Sequence, residues 1–376
     1  MRTVFSPEHD LFRDTVRRFV ATEIVPYHRQ WENDGIVPRE LWLKAGEAGL
    51  LLCSISDEFG GGGGDFAHNA VVIEELARVN ASGPGFSMQS DVAAPYIEQY
   101  GTEEQKRRWL PPMARGEIIA ALGMTEPGTG SDVKAIRTSA VLRDGTYVIN
   151  GQKTFITNGL NADLVILAVK TNPALGHRGV SLICVENGTA GFSKGKGLDK
   201  IGLLAQDTAE LFFENASVPT SNLLGEENAG FSYLMHNLPQ ERMVIALRAA
   251  ASMEGMLENT VAYTRQRQVF GKSLFDMQNT RFKLASAKAQ TLMFRSFVDE
   301  CLESLICNKL TPAVAAMAKL LGTEMQGTVL DDLLQLYGGY GFVNDYPIGR
   351  AWRDARVMRI YGGSSEIMRE IISREL

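Results

Sequence analysis

The sequence predicts an α+β protein in three parts: an N-terminal helical domain, a middle β-barrel-like domain and a C-terminal domain of four-helix-bundle type. Three observations lead there. At 376 residues the chain is too long for one ordinary core. Helical spacing of apolar residues gives way near Ala120 to short alternating runs separated by Gly and Asn turns. After Gly230 long helical patterns return, rich in Ala and Met. The boundaries read from these shifts are 1–119, 120–228 and 229–376.

The first helix opens at Ser6-Pro7-Glu8, a cap followed by proline and an acid, and carries Leu11, Phe12, Val16, Phe19 and Val20 at helical spacing. Further helices are expected over Asn69–Val79, after Pro95, and over Glu103–Leu110, the last ended by Pro111-Pro112. The glycine run FGGGGGDF (59–66) lacks the alternating context of a nucleotide fold and reads as a flexible loop. In the middle part, Val141-Leu142, an Asp144-Gly145 turn and Tyr147–Ile149 form a hairpin signature. Strands follow at Leu164–Val169, Val180–Val185 and Ala209–Phe213. The C-terminal helices are expected over 230–266, 277–305, 312–337, 346–357 and from Ser364 onward.

Composition excludes several classes. Hydrophobic content of 45% with 22% charged residues is that of a globular protein. A net charge of −6 speaks against a nucleic-acid surface. No apolar run reaches bilayer-spanning length, and MRTVFSPEHDLFRD has no apolar core of a signal peptide. Four cysteines without CxxC pairing read as reduced residues of a cytoplasmic protein, and five histidines without ligand spacing give no reason to expect a metal.

Two stretches carry chemistry. MTEPGTGSD (Met124–Asp132) needs tight turns, and turns expose N–H groups and hydroxyls such as those of Thr125 and Ser131. LPQERMVIALRAA (Leu238–Ala250) sets Glu241 and Arg242 at the head of an apolar run. Pro239 there either opens a helix or interrupts one already running from Gly230. An acid in a first helical turn is favoured by the dipole, whereas an acid in an apolar pocket has a raised pKa and acts as a base.

With KTFITNG (Lys153–Gly159), RQVFGK (Arg267–Lys272), QLYGGYG (Gln335–Gly341) and YGGSSEIM (Tyr361–Met368), these motifs stand in the order and spacing of the acyl-CoA dehydrogenase family, which the whole chain resembles. The resemblance implies FAD as cofactor. Met124, Thr125 and Ser131 of the first motif, and Phe155, Ile156 and Thr157 of the second, match residues around the flavin ring, with Ser131 also near the substrate thioester arm. Arg267 matches an arginine that reaches the FAD pyrophosphate of a neighbouring subunit, a bidentate fit for a guanidinium. Gln278, Gln335 and Gly339 match positions along the FAD phosphates and adenosine. Ser364 and Glu366 open the last helix beside a polar ligand group. The family implies a homotetramer, an acyl-CoA substrate and electron-transfer flavoprotein as acceptor.

One departure stands out. Many family members carry a glutamate base after the tyrosine matching Tyr361; here that position is Gly362. The isovaleryl- and long-chain-type branches place the base on a central helix in a context like LPQER, so Glu241 is the expected base with Arg242 its substrate-side neighbour. Gly362 and Gly363 retain backbone at the thioester, the Gly362 N–H as oxyanion donor. The expected reaction is α,β-dehydrogenation of an acyl-CoA to a trans-2-enoyl-CoA in fatty-acid β-oxidation. SGPGFSM (82–88) and GLLAQDTAELFFE (202–214) are worded most like long-chain members; Gly83, Pro84 and Gly85 leave room for an acyl tail or form a helix-breaking turn. Two alternatives share the fold: an O₂-using flavoenzyme, although the chain lacks the extra C-terminal region of typical acyl-CoA oxidases, and a non-catalytic CoA- or flavin-binding paralogue.

Overall fold

The computed structural model describes residues 2–376. Its N-terminal part contains α1 (Pro7–Phe19), α2 (His28–Asp34), α3 (Arg39–Glu47), α4 (Phe66–Arg78), α5 (Ala94–Tyr100) and α6 (Glu103–Ala114). Ser6 caps α1 as expected, with His9 reaching back to close a capping box. Val16 and Phe19 turn into the core while Leu11 faces solvent. Helix α4 is buried on nearly every side, between α1 and the C-terminal helices.

Two expectations fail here. Helix α6 does not stop at Pro111-Pro112 but runs through both to Ala114. The lost N–H donors are outweighed by burial of Trp109, Leu110 and Met113 on the same turns. Nor is the glycine run loose. Gly61, Gly62, Gly63 and Gly64 donate in turn to the carbonyls of Ser56, Leu52, Ile55 and Cys53. A Cβ on Gly61 would lie 2.2 Å from the Ile55 carbonyl oxygen, so the glycines serve close packing. Helices α2 and α3 have no side-chain N-cap, and α2 ends at Gly35 in the left-handed conformation.

The middle part is one eight-stranded sheet: β1 (Ala120–Gly123), β2 (Ser139–Arg143), β3 (Thr146–Thr157), β4 (Leu164–Lys170), β5 (Val180–Glu186), β6 (Phe192–Gly197), β7 (Thr208–Pro219) and β8 (Leu223–Leu224). Its order is β6-β7-β3-β2-β4-β5-β8, with β1 parallel to β4. Asp144 and Gly145 both adopt positive φ, the geometry of a two-residue hairpin. Strands β4 and β5 are apolar apart from Ser181 and the terminal Lys170 and Glu186, because both faces are covered. Val165, Leu167, Val169, Ile183 and Val185 enter the sheet's own core, while Leu164, Ile166, Ala168, Leu182 and Cys184 join the core of the N-terminal helices.

The C-terminal part holds α7 (Gly230–Gln266), a short hairpin of β9 (Gln268–Val269) and β10 (Lys272–Ser273), then α8 (Gln278–Ile306), α9 (Pro312–Gln335), α10 (Pro347–Ala355) and α11 (Ser365–Ser373). Pro239 lies inside α7, so the helix already running from Gly230 is the outcome. Met243 to Leu247 of α7 meet Leu284, Phe294 and Val298 of α8 and Leu330 and Leu333 of α9 in one core, joined by Phe66, Ala70 and Ile73 of α4. No helix among the described residues is long and apolar enough to cross a membrane.

Candidate active site

Glu241 sits at the start of the fourth turn of α7, half-buried. A π-helical turn, Met88–Ala93, leads into α5 and rephases it so that Tyr96 faces α7. Gln240 donates to the Asp91 carbonyl at 2.8 Å, and the fully buried Tyr96 hydroxyl donates to Glu241 Oε1 at 3.0 Å. Burial pushes the Glu241 carboxyl up to about 7, against the opposing pull of the Tyr96 hydrogen bond and the Arg242 charge. That is the range in which a carboxylate serves as a base near neutral pH. Arg242 is 5% exposed and its Nε finds no partner among the described residues.

One helical turn beyond Glu241, Ile245 lies on the same side of α7. Its Cδ1 would be 2.4 Å from a Cβ built on Gly362. Ile245 thus packs against the turn before α11, one helical turn from Glu241, and fills the space a side chain at 362 would need. Gly362 and Gly363 both have positive φ, 64° and 92°. The Ser364 hydroxyl caps α11 by accepting from the Ile367 N–H at 3.4 Å, and Glu366 is exposed in its first turn.

The two motifs of the sheet domain come together. Glu126 and Thr129 close a tight turn through a reciprocal pair of backbone bonds, and the Thr154 N–H donates to the Thr125 carbonyl at 2.9 Å. Beneath it, the Glu126 carboxylate accepts from the N–H groups of Arg137 (2.8 Å) and Thr138 (3.0 Å) and from Lys153 Nζ (2.8 Å). Lys153 also donates to the Met124 carbonyl at 3.0 Å. Burial pulls the Lys153 ammonium down, and the Glu126 carboxylate holds it charged. On this base Phe155 stands at a bulge of β3 with φ 58° and 67% exposure, an aromatic held outward in strained backbone. Ile156 turns into the sheet core, Thr157 is half-buried, and Ser131 is exposed on the loop. Asn158 binds the carbonyls of Gly85 and Ala120. A Cβ on Gly85 would lie 1.9 Å from Asn158 Oδ1, and one on Gly83 2.8 Å from Ala205, so these glycines allow close approach of packed elements.

A separate hollow of about 610 Å³ opens at the far end of α7 and brings Arg267, Gln335 and Gly339 together with Tyr263, Asn279 and Lys283. Gln278 is exposed at the start of α8, next to this rim. The Arg267 guanidinium lies 5.4 Å from the Tyr340 ring centroid. From Glu241 to Arg267 is 26 residues of helix, roughly 39 Å at 1.5 Å per residue. The candidate residues thus fall into two well-separated groups.

Outside these groups, His9, Asp65 and His68 converge, with Asp65 Oδ1 3.0 Å from His9 Nε2 and 3.1 Å from His68 Nδ1. Sequence spacing gave no sign of it. Each member is engaged in the caps of α1 and α4.

Separate models of the acyl-CoA dehydrogenase N-terminal, middle and C-terminal domains match residues 6–117, 121–216 and 228–376. The chain belongs to the acyl-CoA dehydrogenase family. It is 50% identical over 381 residues to long-chain specific acyl-CoA dehydrogenase, mitochondrial, from Sus scrofa, covering 100% of this chain and 88% of that protein. The crystal structure of acyl-CoA dehydrogenase from Geobacillus kaustophilus superposes with a TM-score of 0.98 at 45% identity, covering 100% of this chain and 99% of that one. Glutaryl-CoA dehydrogenase from Mycobacterium smegmatis, in complex with FADH2, gives 0.93 at 28% identity over 99% of this chain and 95% of that one. As an acyl-CoA dehydrogenase the chain is an oxidoreductase of the CH–CH bond of acyl-CoA thioesters, and the family is one of flavoproteins.

Sequence reasoning missed Tyr96, Glu126, Lys153 and the buried Lys319 of α9. Glu126 and Lys153 lie within the quoted motifs, and a charged pair inside two turn- and strand-forming stretches is the signal that could have found them. Tyr96 and Lys319 act across 145 and 44 residues of chain and leave no local trace.

Proposed function

We propose that Glu241 is the base that removes the α-proton of an acyl-CoA, with the Gly362 N–H as donor to the thioester carbonyl oxygen. The supporting observation is the Glu241 carboxyl itself, half-buried, titrating near 7, bound by one tyrosine hydroxyl and one helical turn from Ile245, which packs against the Gly362 turn. An α-proton of a thioester is too weakly acidic for a carboxylate in water. An N–H aimed at the oxygen on which charge develops lowers that barrier, and an apolar surrounding strengthens the bond while raising the basicity of Glu241. Arg242 holds positive charge beside the reacting atoms, a substrate-side role that fits its unpartnered Nε.

FAD fits the residues present. The braced Thr125–Thr129 turn and the outward Phe155 offer a rigid rim and an aromatic face to a flat ring, with Met124, Ser131, Ile156 and Thr157 around them. Bound FAD supplies the acceptor for the β-hydride, and the product is a trans-2-enoyl-CoA. Arg267, Gln278, Gln335 and Gly339 would hold the phosphates and adenosine of FAD seated in another copy, which makes the site incomplete in a monomer and favours a homotetramer. Ser364 and Glu366 would line the cofactor from α11. Electron-transfer flavoprotein is the proposed acceptor, fatty-acid β-oxidation the proposed context and the cytoplasm the proposed compartment. The similarity to the Sus scrofa long-chain enzyme favours a long acyl chain.

In the test, FAD-loaded Glu241→Gln is mixed anaerobically with palmitoyl-CoA and the flavin absorbance followed. Flavin reduction about 10³-fold slower is expected, within the usual contribution of a general base. Unchanged reduction removes Glu241 from the mechanism. The same titration with octanoyl- and isovaleryl-CoA reads chain preference, and rapid reoxidation of the reduced protein by O₂ would favour an oxidase.

A further inference from the structure

The Gly362–Gly363 turn carries the proposed oxyanion donor, yet two consecutive glycines at positive φ are the least rigid backbone a chain can offer. Something must hold it. On its N-terminal side the Tyr361 N–H donates to the Val357 carbonyl at 3.1 Å, and Arg248 reaches the Tyr361 hydroxyl at 3.4 Å. On its C-terminal side the Ser365 hydroxyl donates to Glu324 Oε1 at 2.8 Å. Between them, Lys319 of α9 is 0% exposed and donates from Nζ to the Gly363 carbonyl at 2.6 Å.

A lysine is a costly choice for that duty. Burial and the Arg242 guanidinium pull its ammonium down to about 8, with Arg359 adding to the effect, and the carboxylates of Glu324 and Glu366 only partly resisting. A residue needed only to fill space between α9 and α11 would be apolar. The ammonium is used by one backbone oxygen, that of Gly363, the residue directly following the proposed oxyanion donor.

The geometry points to Lys319 as a positioning residue: by gripping the Gly363 carbonyl it fixes the Gly362–Gly363 turn on α9, and with it the direction of the Gly362 N–H. It also places a second buried cation beside Arg242, near the oxygen on which negative charge gathers. This inference rests on the assignment of Glu241 and Gly362 above, so its test separates the two.

The probe is a 3-thia-acyl-CoA, in which sulfur replaces the β-carbon. It has an acidic α-proton but no β-hydride to give, so exchange of its α-hydrogens into D₂O, read by mass spectrometry, reports proton removal alone. FAD-loaded wild-type, Glu241→Gln, Lys319→Met and Lys319→Gln are compared, with thioester affinity and melting temperature measured alongside. Exchange is expected to fall at least tenfold in Lys319→Met at affinity within about twofold of wild type. Lys319→Gln, whose amide keeps one donor for Gly363, is expected to recover part of it, and it carries the comparison should the Met variant fail to fold. Wild-type exchange in both Lys319 variants, with exchange lost in Glu241→Gln, overturns the role of Lys319 and leaves the base in place. Exchange that survives Glu241→Gln but falls in Lys319→Met overturns the base and upholds the turn anchor. A lower melting temperature with unchanged exchange assigns Lys319 to folding alone and overturns the inference.

Discussion

Two glutamates, the buried Glu74 on α4 and the half-buried Glu241 on α7, show how surroundings divide one side chain into two trades. Glu74 accepts from Arg2 (2.7 and 2.8 Å), Arg13 (2.9 Å) and Arg295 (2.7 Å), tying the N-terminus and α1 to α4 and α8. Burial alone would raise its pKa, but Arg295, Arg2 and Arg13 overcome it and hold the carboxyl at about 2. Glu241 has one hydroxyl and one neighbouring guanidinium, and burial prevails. The first carboxylate is locked in its charged form and is structural. The second can take up a proton near neutral pH, which suits it to the proposed role of base.

The comparison breaks most visibly under the same substitution at each place. Glu241→Gln is expected to remove turnover while sparing the fold. Glu74→Gln is expected to leave the rate of flavin reduction per bound FAD near wild type but to cost about 3–5 kcal/mol in urea unfolding, because three arginines lose a shared buried carboxylate and each is left with its outer partners alone, Asp299, Glu75 or Glu254. A Glu74→Gln protein as stable as the parent would show that this cluster is decorative.

The two acids should also pull stability in opposite directions with pH. Glu74 is depressed below its ordinary 4.5, so its contribution is present above that value and is lost as pH falls toward 2. Glu241 is raised, so its contribution is present below 4.5 and is lost as pH rises through 7. Relative to wild type, Glu241→Gln should therefore gain stability between pH 4.5 and pH 8, by at most about 3 kcal/mol. Melting curves at both pH values read this directly, and a constant difference would mean that Glu241 ionises without hindrance.

The smallest effect concerns Tyr96. Its hydroxyl stabilises the carboxylate, so Tyr96→Phe should move the acid limb of kcat/KM upward by about one pH unit, the equivalent of one charge-assisted hydrogen bond. An unmoved limb would place the tyrosine outside the titration.

Sequence legibility followed the range of the forces involved. Helix α7 was readable from Gly230 to Gln266 because its apolar positions recur over ten turns, and the Asp144-Gly145 turn because it needs only two residues. The run through Pro111-Pro112 was not, since the burial that sustains α6 comes from distant elements. Nor was the β9–β10 hairpin, whose strands are two residues each and whose turn places Phe270 at positive φ ahead of Gly271. At the candidate site, Glu241 is singled out by its motif as the proposed base, but its hydrogen-bonding tyrosine, the pair under the Thr125 turn and the lysine behind Gly363 are products of tertiary contact.

The seat taken by Ile245 limits how this enzyme can be rewritten. An acid introduced at 362 meets the isoleucine δ-carbon and a backbone angle hostile to any side chain, so the two positions for the base exclude one another through their neighbours. Transferring the acid from α7 to the turn involves 245 as well as 241 and 362: with Ile245 in place an acid at 362 clashes, and removing Glu241 first leaves no acid on either element. The choice of helix for the proton acceptor is therefore a trait of three residues acting as a unit.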